Sequence, residues 1–176
     1  MAVAAAGFFD GVHLGHRAVI ETLVRTARER GEESLVLTFW PHPRIVLGSA
    51  GEDFRLLETL EEKTARLRSL GVDRVEVAEF TKEFASLTAA KYLQNIRKEY
   101  GITCLVLGYD NHMGSDCLGP QEIASVCKGL GISTIIVSPV EVNSGEGPVT
   151  VSSTKIRRAL SGGDSRTAEL MLGRNK

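Results

Sequence analysis

Two histidines three residues apart follow a cluster of glycines in Gly7-Phe8-Phe9-Asp10-Gly11-Val12-His13-Leu14-Gly15-His16. Glycines let the main chain approach a ligand with no side chain in the way, and free N–H groups at a helix start favour an anion there. Where the segment is already helical, His13 and His16 face the same side. Two imidazoles so placed can donate hydrogen bonds to phosphoryl oxygens whose charge redistributes in a transition state, and neither has to be a nucleophile. The competing structural reading makes His13 the cap of a turn and His16 a surface residue in an ordinary first turn. A zinc pair is a third reading, but helical histidines that bind zinc usually stand about four residues apart and have a third ligand, neither of which is evident.

A second group, Val151-Ser152-Ser153-Thr154-Lys155-Ile156-Arg157, sets three hydroxyls ahead of a helix expected to end near Ser161-Gly162-Gly163. A serine cap commonly comes with an acid in the first turn, yet Lys155 and Arg157 stand there, where the helix dipole disfavours cations. A bound anion would resolve that conflict. Hydroxyls, free N–H groups and the planar donors of Arg157 together suit a triphosphate. The same residues also read as an N-cap followed by a basic turn.

Both groups need elements that bring them together. Val3 to Ala6, Ser34 to Phe39, Arg74 to Ala78, Thr103 to Leu107 and Ser133 to Val137 read as strands, several of them apolar throughout, as in a sheet covered on both faces. Helices are expected between them. His16 to Arg30 carries Val19, Ile20, Leu23, Val24 and Ala27 on one stripe, Thr88 caps a helix bearing Tyr92, Leu93 and Ile96, and Glu122 to Leu130 carries Ile123, Val126 and Cys127. Strand alternating with helix predicts an α/β fold with parallel strands, whose ligands sit beyond the carboxyl ends of the strands. The loops after the first, second and fourth strands, GFFDGVHLGH, WPHPR and GYDNHMG, hold all four histidines. Asn143 to Pro148 reads as a polar, glycine-rich loop.

At 176 residues the chain suits a single domain, 1–176. With 43% hydrophobic and 24% charged residues it is too apolar for a disordered protein. Its 21 basic and 22 acidic residues give a formal net charge of -1, which offers no global attraction to nucleic acid or to an anionic membrane, so any phosphate site is local. The longest stretch free of charged side chains and histidine, Gly129 to Val140, is twelve residues, well below the roughly twenty of a membrane span. The apolar start lacks a basic leader, and the protein is expected in the cytoplasm. Cys104, Cys117 and Cys127 form no C-x-x-C pair and read as reduced and structural.

GFFDGVHLGH with its H-x-G-H core, followed by VSSTKIR, resembles the nucleotidyltransferase superfamily that joins a nucleoside triphosphate to a phosphorylated acceptor and releases pyrophosphate. TFWPHPRIVL, LLETLEEKTARLRSLGVD, FTKEFASLTAAKYL and LSGGDSRTAELMLGR are similar, in order and spacing, to the FMN adenylyltransferase module of bacterial FAD synthetases over nearly the whole chain. The resemblance implies a Rossmann-like three-layer α/β/α fold and the reaction of ATP with FMN to give FAD and pyrophosphate, aided by Mg2+ with no protein metal ligand assigned. It implies that His13 and His16 contact the ATP phosphates and the transition state, and that Ser152, Ser153, Thr154 and Arg157 hold the β- and γ-phosphates. Gly7, Phe9, Asp10 and Gly15 would shape the pocket, Pro41, His42 and Pro43 would border the flavin, and Asp110 would lie near it.

Four departures stand out. Phe8 replaces a small polar residue and Trp40 an acid. In GYDNHMG, Tyr109 replaces an acid, while Asn111 and Met113 replace aromatics, so the acceptor pocket is expected to differ in shape; Met113 can still pack on a ring face. The family also generally continues past LGR into a riboflavin kinase domain, so FMN would come from a separate kinase unless the chain is part of a longer one. The alternatives are adenylyl transfer to another phosphorylated acceptor and a non-catalytic flavin- or nucleotide-binding module.

Overall fold

The five apolar runs become the strands of one parallel sheet in a computed structural model that describes residues 1–175. They are β1 (Ala2–Ala6), β2 (Glu33–Trp40), β3 (Arg74–Glu79), β4 (Ile102–Gly108) and β5 (Ser133–Val137), in the order β3-β2-β1-β4-β5. Every residue of β1 is buried, as the central position requires, whereas the edge strand β3 is half exposed.

The helices are α1 (Leu14–Arg30), α2 (Pro43–Val46), α3 (Leu60–Ser69), α4 (Lys82–Ala85), α5 (Ala89–Tyr100), α6 (Pro120–Gly129), α7 (Ser153–Ser161) and α8 (Ser165–Leu172). Side chains alternate across the sheet. Val3 and Ala5 of β1 pack with Val36 and Val106 under α1 and with Leu67 of α3; Ala2, Ala4 and Ala6 pack with Leu35, Leu37 and Leu105 under α5 and α6. Helices on both faces make the three-layer α/β/α fold that the resemblance implied. A small separate core of Leu57, Val151, Ile156, Ala168, Met171 and Leu172, with Leu14 against it, docks α7 and α8 on the start of α1. That core seats the serine-rich turn beside the histidine turn.

Three expectations change. Asn143 to Pro148 is the tip of an antiparallel hairpin, β6 (Glu141–Asn143) with β7 (Pro148–Thr150), because its glycines make the turn and its flanks pair. The first helix begins at Leu14, with His13 as its cap, two residues before the expected start. Cys104 and Cys127 are buried, but Cys117 is exposed on a loop and supports no core. Among the described residues no helix is long and apolar enough to cross a membrane.

Candidate active site

The turn between β1 and α1 is tightly wound. Gly11 has φ 86°, and two non-glycine residues, Phe9 at φ 50° and Val12 at φ 37°, also take the left-handed region, a strained choice above all for β-branched valine. Several bonds hold it there. The Asp10 carboxylate accepts from Leu57 N–H at 3.2 Å and pairs with Arg157, while the Asp10 carbonyl accepts from Ser153 Oγ at 2.9 Å. The turn ends on His13, whose Nδ1 accepts the His16 N–H at 3.2 Å and so caps α1.

That cap fixes the chemistry of the ring. A nitrogen that accepts carries no proton, so neutral His13 bears its hydrogen on Nε2. Burial lowers the pKa of His13 from 6.5 to about 4, and burial together with His13 and Lys63 holds His16 well below its usual range. Both rings are neutral at pH 7, which permits them to stack at 3.6 Å, 14° from parallel, a distance at which two imidazolium ions would repel. Gly15 makes the room: a Cβ there would lie 3.0 Å from His13 Cε1. Phe9 sets its edge against His16 at 5.3 Å, and His16 Nδ1 is buried with no hydrogen-bond partner.

In the second turn Ser152 caps α7 by accepting the Lys155 N–H at 3.2 Å, and Lys155 folds back to donate to the Thr150 carbonyl at 3.1 Å. Arg157 turns inward. It pairs with Asp10, donates from Nε to the Arg55 carbonyl at 2.8 Å and lies over the Phe54 ring at 4.6 Å. The conflict between a helix start and its cations is thus resolved by a carboxylate of the chain itself.

Both turns open on a single cavity of about 740 Å³ beyond the carboxyl ends of β1, β2, β4 and β5. Gly7, Phe9, Asp10, His13, Gly15 and His16 line it from the first turn, and Ser152, Ser153 and Thr154 from the second. His42, Asp110 and Met113 of the expected flavin group also line it, and so does His112, to which the sequence assigns no role, so all four histidines share one wall system. Arg157, Pro41 and Pro43 stand outside the lining: Arg157 lies behind Asp10, and Pro43 is the first residue of α2. His42 caps α2, its Nδ1 accepting the Arg44 N–H at 3.2 Å, and burial lowers its pKa to about 4 as well.

The opposite end of the cavity is aromatic. Phe8, Phe39, Phe80, Phe84 and Tyr92 line it in a connected group, with Phe8 5.1 Å from Phe39 and Phe84 5.5 Å from Tyr92. In the sequence Phe8 stands out only as a departure and Tyr92 only as part of a helix face, and Phe39, Phe80 and Phe84 carry no site role, although the spacing of Phe80 and Phe84 around a Thr81 cap was a usable signal. Lys63 of α3 was missed too: its buried ammonium donates to the carbonyls of Phe8 at 2.9 Å and Phe39 at 3.2 Å, tying the ends of β1 and β2 together.

The loop after β4 is braced. Asn111 donates from Nδ2 to the Ala6 carbonyl at 3.1 Å, Ser115 N–H bonds the Leu87 carbonyl at 2.7 Å, and Asp116 accepts the Ala89 N–H at 2.9 Å. A side chain at Gly114 would collide with Ala89, so this loop lies directly on α5. Among the described residues no three His, Cys, Asp or Glu side chains converge where they would hold a metal ion.

The arrangement offers neutral N–H donors, hydroxyls and backbone amides at one end and an apolar slot lined by mutually tilted rings at the other. Comparison with known proteins points the same way. The profile of the FAD synthetase family matches residues 1–155. The bifunctional riboflavin kinase/FMN adenylyltransferase of Listeria monocytogenes is 35% identical over 172 residues, which is 97% of this chain and 53% of the relative. The chain therefore spans about half the length of the curated relatives it matches. A solved structure described as a macrolide-efflux protein from Streptococcus pneumoniae superposes with a TM-score of 0.86 at 30% identity, over 98% of this chain and 56% of that one. A pantoate-beta-alanine ligase from Francisella tularensis superposes at 0.54 with 14% identity, over 96% of this chain and 77% of that one, a likeness of fold alone.

Proposed function

The chain belongs to the FAD synthetase family, and from that premise we propose that it transfers the AMP moiety of ATP to FMN, giving FAD and pyrophosphate. The observation that carries the reading is the two-ended cavity: stacked imidazoles face a hydroxyl-rich helix start at one end, and aromatic rings form a slot at the other. Its volume suits a substrate-sized ligand.

An FMN phosphate oxygen attacks the α-phosphorus of ATP in line; the new P–O bond forms as the bond to the β-phosphate bridging oxygen breaks, and the electron pair leaves on pyrophosphate. The nucleophile is already an anion, so the protein positions it and offsets charge. His13 donates from Nε2 to a phosphoryl oxygen, and His16 supplies a second donor. The Ser152 and Thr154 hydroxyls, with the amides of the α7 start, receive the leaving pyrophosphate, while the Ser153 hydroxyl holds the Asp10 carbonyl and fixes the two turns together. Gly7, Phe9, Asp10 and Gly15 shape the nucleotide end, and Arg157 acts on it from behind, through Asp10. His42, Asp110 and Met113 border the flavin from the cavity wall, while Pro41 and Pro43 fix the loop that carries His42 from outside that wall.

Mg2+ is assigned to the nucleotide phosphates, where it would offset charge and retain several waters. FMN comes from a riboflavin kinase activity, which the relatives' names pair with the adenylyltransferase. A cytoplasmic location goes with these substrates.

A second reading keeps the chemistry and changes the acceptor. It is favoured by the loop after β4, where Asn111 is tied to Ala6 and a flexible Met113 lines the slot. Incubation with ATP, Mg2+ and a panel of phosphorylated acceptors tests both. FAD and pyrophosphate formed with FMN carry the first reading; pyrophosphate released only with another acceptor carries the second. Saturable binding with no turnover on any acceptor would instead make the protein a binding module.

A further inference from the structure

The strained turn is fixed at its first half by Asp10, and its second half is gripped from the far end of the chain. Arg174, just beyond α8, donates to the Gly11 carbonyl at 2.6 Å and to the Val12 carbonyl at 3.4 Å. Val12 carries the φ of 37° and immediately precedes the capping histidine. The guanidinium is itself held by Glu58, whose side chain is only 2% exposed and whose Oε2 lies 3.4 Å away, with Arg66 3.6 Å from the same oxygen.

We propose that Arg174, held by Glu58, is a positioning residue for the H-x-G-H turn: its planar fork fixes two successive carbonyls and so keeps His13 in place as the cap that receives the His16 N–H. Three features carry this. A left-handed β-branched residue persists only where its surroundings over-determine it, and two carbonyl bonds from one rigid group do that. The approach is built in, because Gly173 ends α8 at φ 67° and a Cβ there would lie 2.6 Å from Leu14 Cδ2, the first residue of α1. Finally, a carboxylate as buried as Glu58 is a poor source of stability, which fits a role in orientation.

The proposal deepens the function given above. Its turnover test rests on that reading, whereas its spectroscopic test does not. Arg174→Ala, Arg174→Lys and Glu58→Gln are made in the full chain, and the four imidazoles are followed by histidine 15N NMR without substrate. In the wild type the His13 Nδ1 and Nε2 signals are widely separated, as one tautomer requires. In Arg174→Ala they move toward each other while those of His112 stay fixed. Arg174→Lys keeps the charge but loses the fork, and it behaves like the alanine variant; Glu58→Gln shows a smaller change of the same kind. In the assay with ATP and FMN, turnover falls by about 10- to 10²-fold with the KM for FMN unchanged, as for a small misplacement of reacting groups.

His13 signals and turnover that stay at wild-type values in folded variants would overturn the proposal. So would full recovery by Arg174→Lys, since charge alone would then suffice. If Arg174→Ala does not fold, the lysine variant decides. A wild type that makes no FAD would sink the assigned function and leave the imidazole signals to judge the clamp.

Discussion

At the histidine end of the cavity the main chain is fixed bond by bond: Asp10 accepts from Leu57 and Arg157, Ser153 reaches the Asp10 carbonyl, and Arg174 reaches the next two carbonyls. At the aromatic end hydrogen bonds hold the main chain, from Lys63 to the Phe8 and Phe39 carbonyls and from the Phe84 N–H to Thr81, but the rings themselves are held by packing. Phe39, Phe80, Phe84 and Tyr92 meet ring to ring, and their backbones belong to β2, the loop after β3, α4 and α5. Geometry at the first end is dictated by directional bonds, which fail as a unit. At the second it is set by shape, which tolerates exchange of one apolar group for another.

Removal of Asp10 should break that contrast hardest. Asp10 is 6% exposed, and its Arg157 partner is also mostly buried, so Asp10→Ala removes the carboxylate that neutralises a buried cation. The expected loss of stability is about 3–5 kcal/mol, read as a lower denaturation midpoint in urea. A loss below about 1 kcal/mol would mean that the pair is solvated and that the turn stands without it.

His16→Ala tests the chemical side of the same end. With the fold intact, adenylyl transfer to FMN should fall on the order of 10²- to 10³-fold, the scale of one preorganised donor. Near-normal FAD synthesis would remove His16 from the reaction.

Much of this end was legible in the sequence, because its signals are local. H-x-G-H set behind glycines at a strand end and hydroxyls set before a helix are both short-range patterns, and each lines the cavity. The structural reading of His13 as a cap and the ligand reading both apply to the one ring: Nδ1 is used in the cap and Nε2 is left to donate. The five strands were legible for the same reason, as runs of apolar residues. Arg157 was legible only in part. Its cation did demand an anion, but that anion is Asp10, 147 positions earlier, a pairing that no local pattern reveals. Lys63 and Arg174 were hidden likewise, surface-type residues drawn inward by partners distant in sequence, Lys63 to full burial and Arg174 to partial burial. The slot was least legible, since phenylalanines in separate elements look like ordinary core until the fold brings them to one wall.

The pH response separates the ends further. His13 and His42 have folded pKa values of about 4 against 6.5, both lowered by burial, so the unfolded chain binds more protons between those values. Their neutral burial therefore contributes stability that is full above pH 6.5 and is lost as the pH falls toward 4. The melting temperature should drop across that window. His42→Asn keeps a side-chain acceptor for the Arg44 N–H but cannot titrate, and it should lose less; a variant with the same acid slope as the wild type would refute the assignment of His42.

The smallest effect belongs to the aromatic end. Met113 is 8% exposed and lines the slot from the braced loop after β4. Leucine has similar volume, so Met113→Leu should change stability by less than about 1.5 kcal/mol. What it removes is flexibility and the polarizable sulfur that a flat ring would face. If shape governs this end, the KM for FMN should rise a few-fold, while the KM for ATP, set by hydroxyls and imidazoles at the other end, should stay constant. A change confined to ATP would show the two ends to be one coupled site. A change in neither would place the acceptor ring away from Met113, against Phe39 and Phe84 on the α5 side of the cavity.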